Sequence, residues 1–206
     1  MAGTATLGPP PANLPQLALS IELLPASALC RVSRHDSNEP FYGRSGGCRF
    51  DDRASVQSKR FGTCYLGLTL AVAFAESVLH DVEPTEGRFS IPVTEVLTRF
   101  ALRFDGGMLR LANMTGAALL RLGGNGELSG TADYRLPQLW ARAVVAHPDQ
   151  VDGMVYMSRR INDQPAIVLF HRPGAVHPAI ALAEAVPLPH HRDYTNVIAE
   201  LGVTIS

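Results

Sequence analysis

Residues 70–80, with the sequence LAVAFAESVLH, are the feature that most constrains what this chain can fold into. Most of these residue types have a high helix propensity, Thr69 stands where an N-cap is expected, and Pro84 lies just beyond the predicted end of the helix. A helix that is apolar on nearly all of its surface is buried inside a domain. A short strand is predicted directly before it, at residues 63–66.

Strands and helices alternate along the rest of the chain without a regular β-α-β spacing. Residues 17–29 fit either a helix or a strand, residues 30–53 are expected to form a structured loop, and residues 88–102 a strand. The later elements are a strand or irregular segment at residues 105–113 and a short helix ended by a glycine loop at residues 115–130. A helix with Pro137 in its first turn follows at residues 134–147, and two closing strands at residues 151–158 and 165–170. The tail after Pro173 is expected to be wrapped or loose. This order favours an irregular α+β fold around a mixed β-sheet core with flanking helices.

The size and composition of the chain fit a single domain. It has 206 residues, of which 46% are hydrophobic and 18% charged, and such a chain can bury an adequate core without disulfides or a structural metal. Residues 1–16 are rich in Pro, Ala and Gly and show no periodicity, which is typical of a flexible arm. We therefore expect an arm over residues 1–16 and one folded domain over residues 17–206.

Charge, cysteines and hydropathy exclude several classes of protein. The formal net charge of -1 provides no basic excess, which argues against direct nucleic-acid binding. The cysteines Cys30, Cys48 and Cys64 are odd in number and widely spaced, so they are expected to be reduced thiols. No segment has the character of a signal peptide or a membrane span, and a cytoplasmic location away from membranes is the expectation. The histidines also lack partners at ligand spacing, so no metal site is predicted.

Glu76 is the one carboxylate of the predicted apolar helix, placed between Val72 and Leu79 at helical spacing. A carboxylate there is expected to be partly buried, which is costly unless it is paired or hydrogen-bonded. It should then either meet a cation such as an arginine or have a raised pKa, and both are features of active sites. A structural ion pair, or a helix edge turned to solvent, is the alternative that spacing alone favours.

Five arginines crowd the segment around the Gly46–Gly47 pair. Guanidinium groups pair with two phosphate oxygens at once and glycines let a backbone approach a ligand closely, so an anion site is one interpretation. The other, which composition alone favours, is a solvated loop whose arginines pair with nearby acids. The arginines are Arg31, Arg34, Arg44, Arg49 and Arg53, and the acids are Asp36, Glu39, Asp51 and Asp52.

Tyr65 and Ser158 each end a predicted apolar strand, where side chains commonly face a cleft. A tyrosine at such a position is more often part of the core or its rim. A serine there is more often a turn residue that bonds its own backbone. Neither residue indicates a site by itself.

Taken in order, four segments of the chain resemble the RES domain, a family named for an arginine, a glutamate and a serine. They are RV at Arg31, GGCRFD around Arg49, FGTCYLGLTLAVAFAE from Phe61 to Glu76, and DGMVYMSR around Ser158. The resemblance extends over about residues 30–171, and the combination of G-G-x-R-[FW] with Y-L-x(9)-E makes it fairly specific. The chain departs from the family at Cys48, where glycine or another small residue is common, and in the long loop of residues 51–60.

The resemblance implies a fold similar to that of ADP-ribosyltransferase toxins, with NAD+ as substrate and no metal. Glu76 would be the acidic catalytic residue, and Arg49 would hold the pyrophosphate or ribose. Tyr65 would lie against the nicotinamide or its ribose, Ser158 would complete the pocket, and Arg31 would be a second phosphate contact. RES proteins are bacterial toxins paired with a helix-turn-helix antitoxin of the Xre type, which is therefore the expected partner.

Three functions follow from the resemblance and from the residues. The first is a toxin that cleaves the nicotinamide N-glycosidic bond of NAD+ and passes ADP-ribose to water or phosphate. The second is transfer of ADP-ribose to a protein of nucleotide metabolism. The third, from a different class, is a non-catalytic interaction domain that only binds its partner.

Overall fold

The centre of the structure is a mixed β-sheet, seen in a computed structural model that describes residues 6–206. The strands within this part of the chain are β1 (Ile21–Pro25), β2 (Cys30–Ser33), β3 (Gly62–Gly67), β4 (Phe89–Ile91), β5 (Phe100–Gly106), β6 (Met108–Asn113), β7 (Gly153–Met157), β8 (Pro165–His171), β9 (Ile180–Pro187) and β10 (Val203–Ile205). Eight of them form one sheet in the order β1-β6-β7-β8-β3-β2-β5-β9, while β4 and β10 pair separately. Within the large sheet β6 and β7 are parallel and the other neighbours antiparallel.

Six α-helices in residues 6–206 flank this sheet. They are α1 (Leu70–Ser77), α2 (Val93–Leu97), α3 (Gly116–Arg121), α4 (Glu127–Gly130), α5 (Arg135–Val145) and α6 (Tyr194–Glu200). Short 3-10 helices occur at Leu14–Gln16, Ala26–Ala28, Gln57–Lys59 and Leu188–His190. The α+β fold with a mixed sheet and flanking helices is the one predicted from the sequence.

Helix α1 is the predicted apolar helix, and it begins where the sequence indicates. The Thr69 hydroxyl accepts a hydrogen bond of 3.2 Å from the backbone N–H of Val72, which confirms the N-cap. Strand β3 turns into the helix at Gly67, where a Cβ would lie only 2.8 Å from the backbone nitrogen of Ala73. Phe74 of α1 packs in a buried cluster with residues of β2 and α6.

Three predicted segments differ from the structure. Residues 88–102 are not one strand, since Pro92 has no N–H for a sheet ladder and instead precedes the short helix α2 that separates β4 from β5. The tail after Pro173 is not loose, because β9 pairs with β5 along the edge of the sheet and is followed by α6 and β10. The predicted loop at residues 30–53 also begins with a strand, β2.

Two leucines attach the described part of the predicted flexible arm to the core. Leu7 and Leu14 are buried against the core cluster that contains Trp140. The backbone N–H of Leu7 donates to Glu127 at 2.6 Å, and the Trp140 indole donates to the carbonyl of Gly8 at 2.9 Å. Residues 6–16 thus contact the core through these two leucines and two hydrogen bonds, and the flexibility of the arm stays a prediction from its composition. Residues 1–5 of the predicted arm lie outside the described residues.

Candidate functional site

A cavity of about 330 Å³ brings together four of the five residues singled out in the sequence. The cavity is lined by Arg31 of β2, Arg49 of the loop between β2 and β3, Tyr65 of β3 and Glu76 of α1. Ser158 lies behind Glu76. The other lining residues are Val32, Cys48, Leu66, Ala73, Ser77, His80, Asp81 and Tyr156. A larger cavity, of about 610 Å³, lies at the opposite end of α1 and contains none of the predicted site residues.

The carboxylate of Glu76 is held through one of its two oxygens. The Ser158 hydroxyl donates to Oε1 at 2.6 Å, and the backbone N–H of Arg159 donates to the same oxygen at 3.0 Å. Within residues 6–206, no group donates a hydrogen bond to Oε2 and no cation forms an ion pair with Glu76. An arginine partner, one of the two alternatives predicted for Glu76, is therefore not seen; a hydroxyl and a backbone amide hold the carboxylate, which leaves Oε2 available to a ligand.

The Ser158 hydroxyl uses its hydrogen bonds to hold Glu76 and the turn that follows Ser158. Its side chain is buried, with the residue only 1% exposed, and its oxygen accepts from the backbone N–H groups of Arg160 at 3.2 Å and Ile161 at 3.0 Å. The interpretation of Ser158 as a turn residue that bonds its own backbone is thus confirmed. The geometry favours a role in positioning Glu76 over the predicted contact with a ligand.

Arg49 reaches the cavity from the loop before β3 and is only 8% exposed. Its Nη1 donates to the carbonyl of Thr131 at 2.6 Å, and its guanidinium lies 4.6 Å from the centre of the Tyr134 ring. Nη2 is shielded from water and has no acceptor within the described residues. Burial lowers the pKa of Arg49, Tyr134 opposes this effect, and the nearby positive charge of Arg159 adds to it. Arg49 therefore carries a donor that an anion could satisfy.

The loop that carries Arg49 is organised by one buried carboxylate, that of Asp51. Gly46, with φ of 79°, provides the left-handed turn that brings its own N–H toward Asp51. Asp51 accepts five hydrogen bonds, from the backbone N–H groups of Gly46 and Cys48 and from the hydroxyls of Ser45, Thr63 and Tyr65. The alternative in which Asp51 pairs with a loop arginine in solvent is therefore wrong. Its carboxylate fixes the loop to β3.

Arg31 is the member of the arginine group for which the ion-pair interpretation holds. Its Nη1 lies 2.6 Å from Oε2 of Glu39, whose side chain is 1% exposed. Glu39 also accepts from the Ser33 hydroxyl at 2.8 Å and from the backbone N–H of Phe41 at 2.7 Å. The charge of Arg31 is thus neutralised inside the protein, which weakens the expectation that it is a phosphate contact.

Tyr65 lies within β3 rather than at its end, opposite Val168 of β8. Its hydroxyl accepts from the backbone N–H of Phe50 at 2.9 Å and donates to Asp51 at 3.3 Å. Burial, reinforced by the charge of Asp51, raises the pKa of Tyr65 well above its usual value. Tyr65 is therefore a neutral ring at the cavity wall, with its polar end used to hold the loop.

Three residues around the site were not singled out from the sequence. Tyr134 contacts Arg49 through its ring, Tyr156 lines the cavity, and Arg159 bonds Glu76 through its backbone. Tyr156 and Arg159 stand inside the motif DGMVYMSR, so the signal that led to Ser158 also included them. Tyr134 has no comparable signal, because its approach to Arg49 depends on how α4 and α5 pack.

Searches for a group of metal ligands and for a membrane-spanning helix both gave a negative result in the part of the chain that the structure covers. No group of three or more His, Cys, Asp or Glu side chains within residues 6–206 is arranged to hold a metal ion. Among the helices of the same residues, none is both long and apolar enough to cross a bilayer.

The sheet order and the cavity describe an α+β domain whose site is built from an arginine loop, a strand tyrosine and a helix glutamate. The chain belongs to the RES domain family, whose model matches residues 28–195. This confirms the resemblance noted in the sequence.

A solved structure similar to this one is the crystal structure of the M. tuberculosis MbcT–MbcA toxin–antitoxin complex. The TM-score is 0.62 at 15% sequence identity, and the match covers 92% of this chain and 98% of that chain. At this identity the likeness concerns the fold. No curated protein sequence matches the chain.

Proposed function

We propose that the protein is the toxin of a toxin–antitoxin system and cleaves the nicotinamide N-glycosidic bond of NAD+, passing ADP-ribose to water or phosphate. The observation that carries the proposal is the state of Glu76. One carboxylate oxygen is fixed by two donors, the other accepts no hydrogen bond from residues 6–206, and Arg49 lines the same cavity. RES family membership and the fold shared with the MbcT–MbcA complex support the assignment as a toxin.

The reaction needs a negative charge at a fixed place more than it needs a proton donor. Nicotinamide leaves the ribose as a neutral base, and positive charge develops on the sugar. A carboxylate aimed at the anomeric carbon stabilises this oxocarbenium-like transition state. Because Oε1 is already bonded to the Ser158 hydroxyl and the Arg159 amide, Oε2 is oriented before the substrate arrives. Such preorganisation lowers the barrier without reorganisation during the reaction.

The cavity walls suit a flat heterocycle and a sugar. Tyr65 and Tyr156 both line it, and burial raises the pKa of each well above its usual value, so both rings are neutral. Neutral aromatic faces and edges pack well against another ring. At about 330 Å³ the cavity is at the small end of the ~300–1,000 Å³ typical of ligand sites. We therefore assign it to the nicotinamide riboside half of NAD+, with the phosphates at its mouth.

The assay is NAD+ consumption by the purified chain, with and without inorganic phosphate, followed by identification of the nucleotide products. Wild type should consume NAD+, and Glu76→Gln should lose about 100-fold or more of the rate, the order expected when an oriented electrostatic group is removed. Glu200→Gln, at an exposed glutamate at the end of α6, is the matched control and should behave as wild type. Intact NAD+ in the wild-type reaction, or equal rates for Glu76→Gln, would refute the proposal.

The products separate the remaining alternatives. Free ADP-ribose indicates hydrolysis, and ADP-ribose 1-phosphate indicates phosphorolysis. A single labelled protein band in a lysate supplied with labelled NAD+ would instead identify a protein ADP-ribosyltransferase.

Expression in cells tests the toxin role and the partner. Wild type should arrest growth, Glu76→Gln should not, and co-expression of an Xre-type helix-turn-helix antitoxin should restore growth. Arrest by folded Glu76→Gln protein would favour a non-catalytic interaction domain.

A further inference from the structure

One face of helix α5 lies against the loop that carries Arg49. Tyr134, Gln138 and Arg142 follow one another at intervals of four residues, so they share this face. The Arg49 guanidinium lies 4.6 Å from the centre of the Tyr134 ring, and Nε of Arg142 lies 3.7 Å from the carboxylate of Asp52. Gln138, between these two contacts, bonds the backbone of the loop. Helix and loop thus meet along about two turns of α5.

The buried amide of Gln138 is the central contact of this face. The residue is 4% exposed, and its Nε2 donates to the carbonyl of Cys48 at 2.8 Å and to that of Gly46 at 3.3 Å. A carbonyl oxygen can only accept, so the nitrogen of the amide must face both of them. The backbone N–H groups of Gly46 and Cys48 donate to Asp51. The loop is therefore held at the same two residues by a carboxylate that accepts and by an amide that donates.

The bond to Cys48 acts directly on Arg49. The carbonyl of Cys48 and the N–H of Arg49 belong to one rigid peptide unit, so Gln138 fixes the point at which the Arg49 side chain begins. At the other end of that side chain, Nη1 donates to the carbonyl of Thr131 at 2.6 Å and the guanidinium packs against Tyr134. Tyr134 is the N-cap of α5, and Thr131 stands three residues before it. Both ends of Arg49 are thus held from the start of one helix.

Helix α5 is a firm support for these contacts. Trp140, Ala141 and Val144, on its other side, are fully buried in the core. Groups carried by a well-packed helix hold a site more precisely than groups carried by a loop. A long side chain that is ordered before its ligand arrives also avoids the cost of being ordered on binding.

The stability of α5 by itself does not explain an amide at this position. Oε1 of Gln138 is shielded from water and has no donor within residues 6–206. A buried acceptor without a donor is costly, and an apolar side chain of similar length would avoid that cost. It would also leave the carbonyls of Gly46 and Cys48 without the Gln138 donor. The amide is therefore explained by its hold on the loop.

We propose that Gln138 is a positioning residue, which holds the backbone at Arg49 so that the guanidinium is oriented in the cavity before a ligand binds. Its effect on turnover rests on the proposed function, since Arg49 lines the cavity assigned to NAD+. Glu76 is held separately, by Ser158 and the Arg159 amide. Loss of the Gln138 amide should therefore weaken substrate binding and leave the chemical step in place.

Steady-state NAD+ turnover by folded Gln138→Met is the first measurement. The substitution removes both donors at a similar side-chain length. KM should rise about threefold to tenfold, the cost of ordering one long side chain on binding, and kcat should stay within about twofold of wild type. Gln138→Asn, which withdraws the amide from both carbonyls by one methylene, is a second variant with the same expected result.

Gln57→Met is the matched control. The exposed Gln57 amide also donates to a backbone carbonyl ahead of Arg49, that of Arg44, but Arg60 donates to the same oxygen at 3.1 Å. The carbonyl therefore keeps a donor, and KM should not change. Thermal unfolding of each variant verifies that it is folded.

NMR of the Arg49 side chain provides a readout that needs no substrate. Its Nε–H signal is identified by its absence from the spectrum of Arg49→Lys. The signal should report an ordered group in wild type and Gln57→Met, and a mobile one in both Gln138 variants. A merely structural role of Gln138 would lower the Tm but leave this signal and the KM unchanged.

Two results would overturn the inference: equal order of Arg49 in wild type and the folded Gln138 variants, or a fall in kcat at unchanged KM. NAD+ cleavage with an unchanged KM in these variants would leave the proposed function standing and refute the positioning role. An Arg49 signal that loosens only in the Gln138 variants, in a protein that leaves NAD+ intact, would support the positioning role and refute the proposed function.

Discussion

Replacement of Ser158 by alanine is the sharpest test of how Glu76 is held. The substitution removes the 2.6 Å bond to Oε1 of Glu76 and the acceptor for the backbone N–H groups of Arg160 and Ile161. A hydrogen bond to a charged group contributes about 1.5–3 kcal/mol, and each lost backbone bond about 0.5–1.5 kcal/mol. Water can replace some of these bonds at the exposed turn, so we expect a net loss of about 3 kcal/mol. For a chain of this length that corresponds to a fall in Tm of about 6–12 °C.

Activity should fall in a characteristic way in the same variant. The carboxylate of Glu76 keeps the Arg159 amide as its second donor but loses its shortest bond, so Oε2 is less well oriented. We expect kcat to fall about tenfold to 100-fold, equivalent to about 1.4–2.8 kcal/mol of transition-state stabilisation. KM should change little, because Ser158 is buried behind Glu76 and is not part of the cavity lining.

Thermal unfolding and NAD+ turnover of the purified variants provide the measurement. Ser37→Ala is the matched control, since the Ser37 hydroxyl also donates to a carboxylate, that of Asp36, but in an exposed position. It should change stability by no more than about 0.5 kcal/mol. The positioning role of Ser158 is refuted if Ser158→Ala unfolds within about 1 °C of wild type, a shift well under 1 kcal/mol, and retains its kcat.

Two further predictions concern other parts of the fold. Glu39→Gln leaves Arg31 without its buried counter-charge and should cost about 3–5 kcal/mol in urea unfolding. Glu95→Gln breaks the more exposed pairs of Glu95 with Arg34 and Arg99 and should cost about 1 kcal/mol or less. Similar losses in both would contradict the structural role of the Arg31 pair. At His171, Nδ1 lies 3.2 Å from the Arg44 guanidinium, which can only donate, and burial lowers the pKa of His171 below its usual 6.5. The unfolded chain therefore binds the proton more readily, and stability should fall as the pH drops below about 6.5, with a shallower fall in His171→Gln; parallel pH profiles of the two proteins would contradict this.

Local features of the sequence were sufficient to predict α1, the helix that carries Glu76. The cap at Thr69 and the apolar run after it depend on residues only a few positions apart, so the start of α1 and the partial burial of Glu76 could be predicted. The motif around Arg49 likewise placed that arginine in a glycine-containing loop. The order of these motifs also identified the family that the matched model confirms.

The partners of those residues depended on the order of the strands. Ser158 is 82 residues from Glu76 along the chain and meets it because the end of β7 is brought next to the end of α1 by the pairing of β7 with β8 and of β8 with β3. No periodicity in the sequence contains that information. For the same reason composition could not distinguish the buried Arg31–Glu39 pair from a solvated loop.

The sequence by itself thus determined the helix, its glutamate, the arginine loop and the family to which they belong. Only the tertiary structure decided that Glu76 is held by a hydroxyl and an amide instead of an arginine. It also decided that Arg31 forms a buried ion pair with Glu39, whereas Arg49 has no carboxylate at ion-pair distance within residues 6–206. The physical reason is that helix propensity and capping act over a few residues. The pairing of a buried charge is settled by whichever donors the sheet brings within about 3 Å of it.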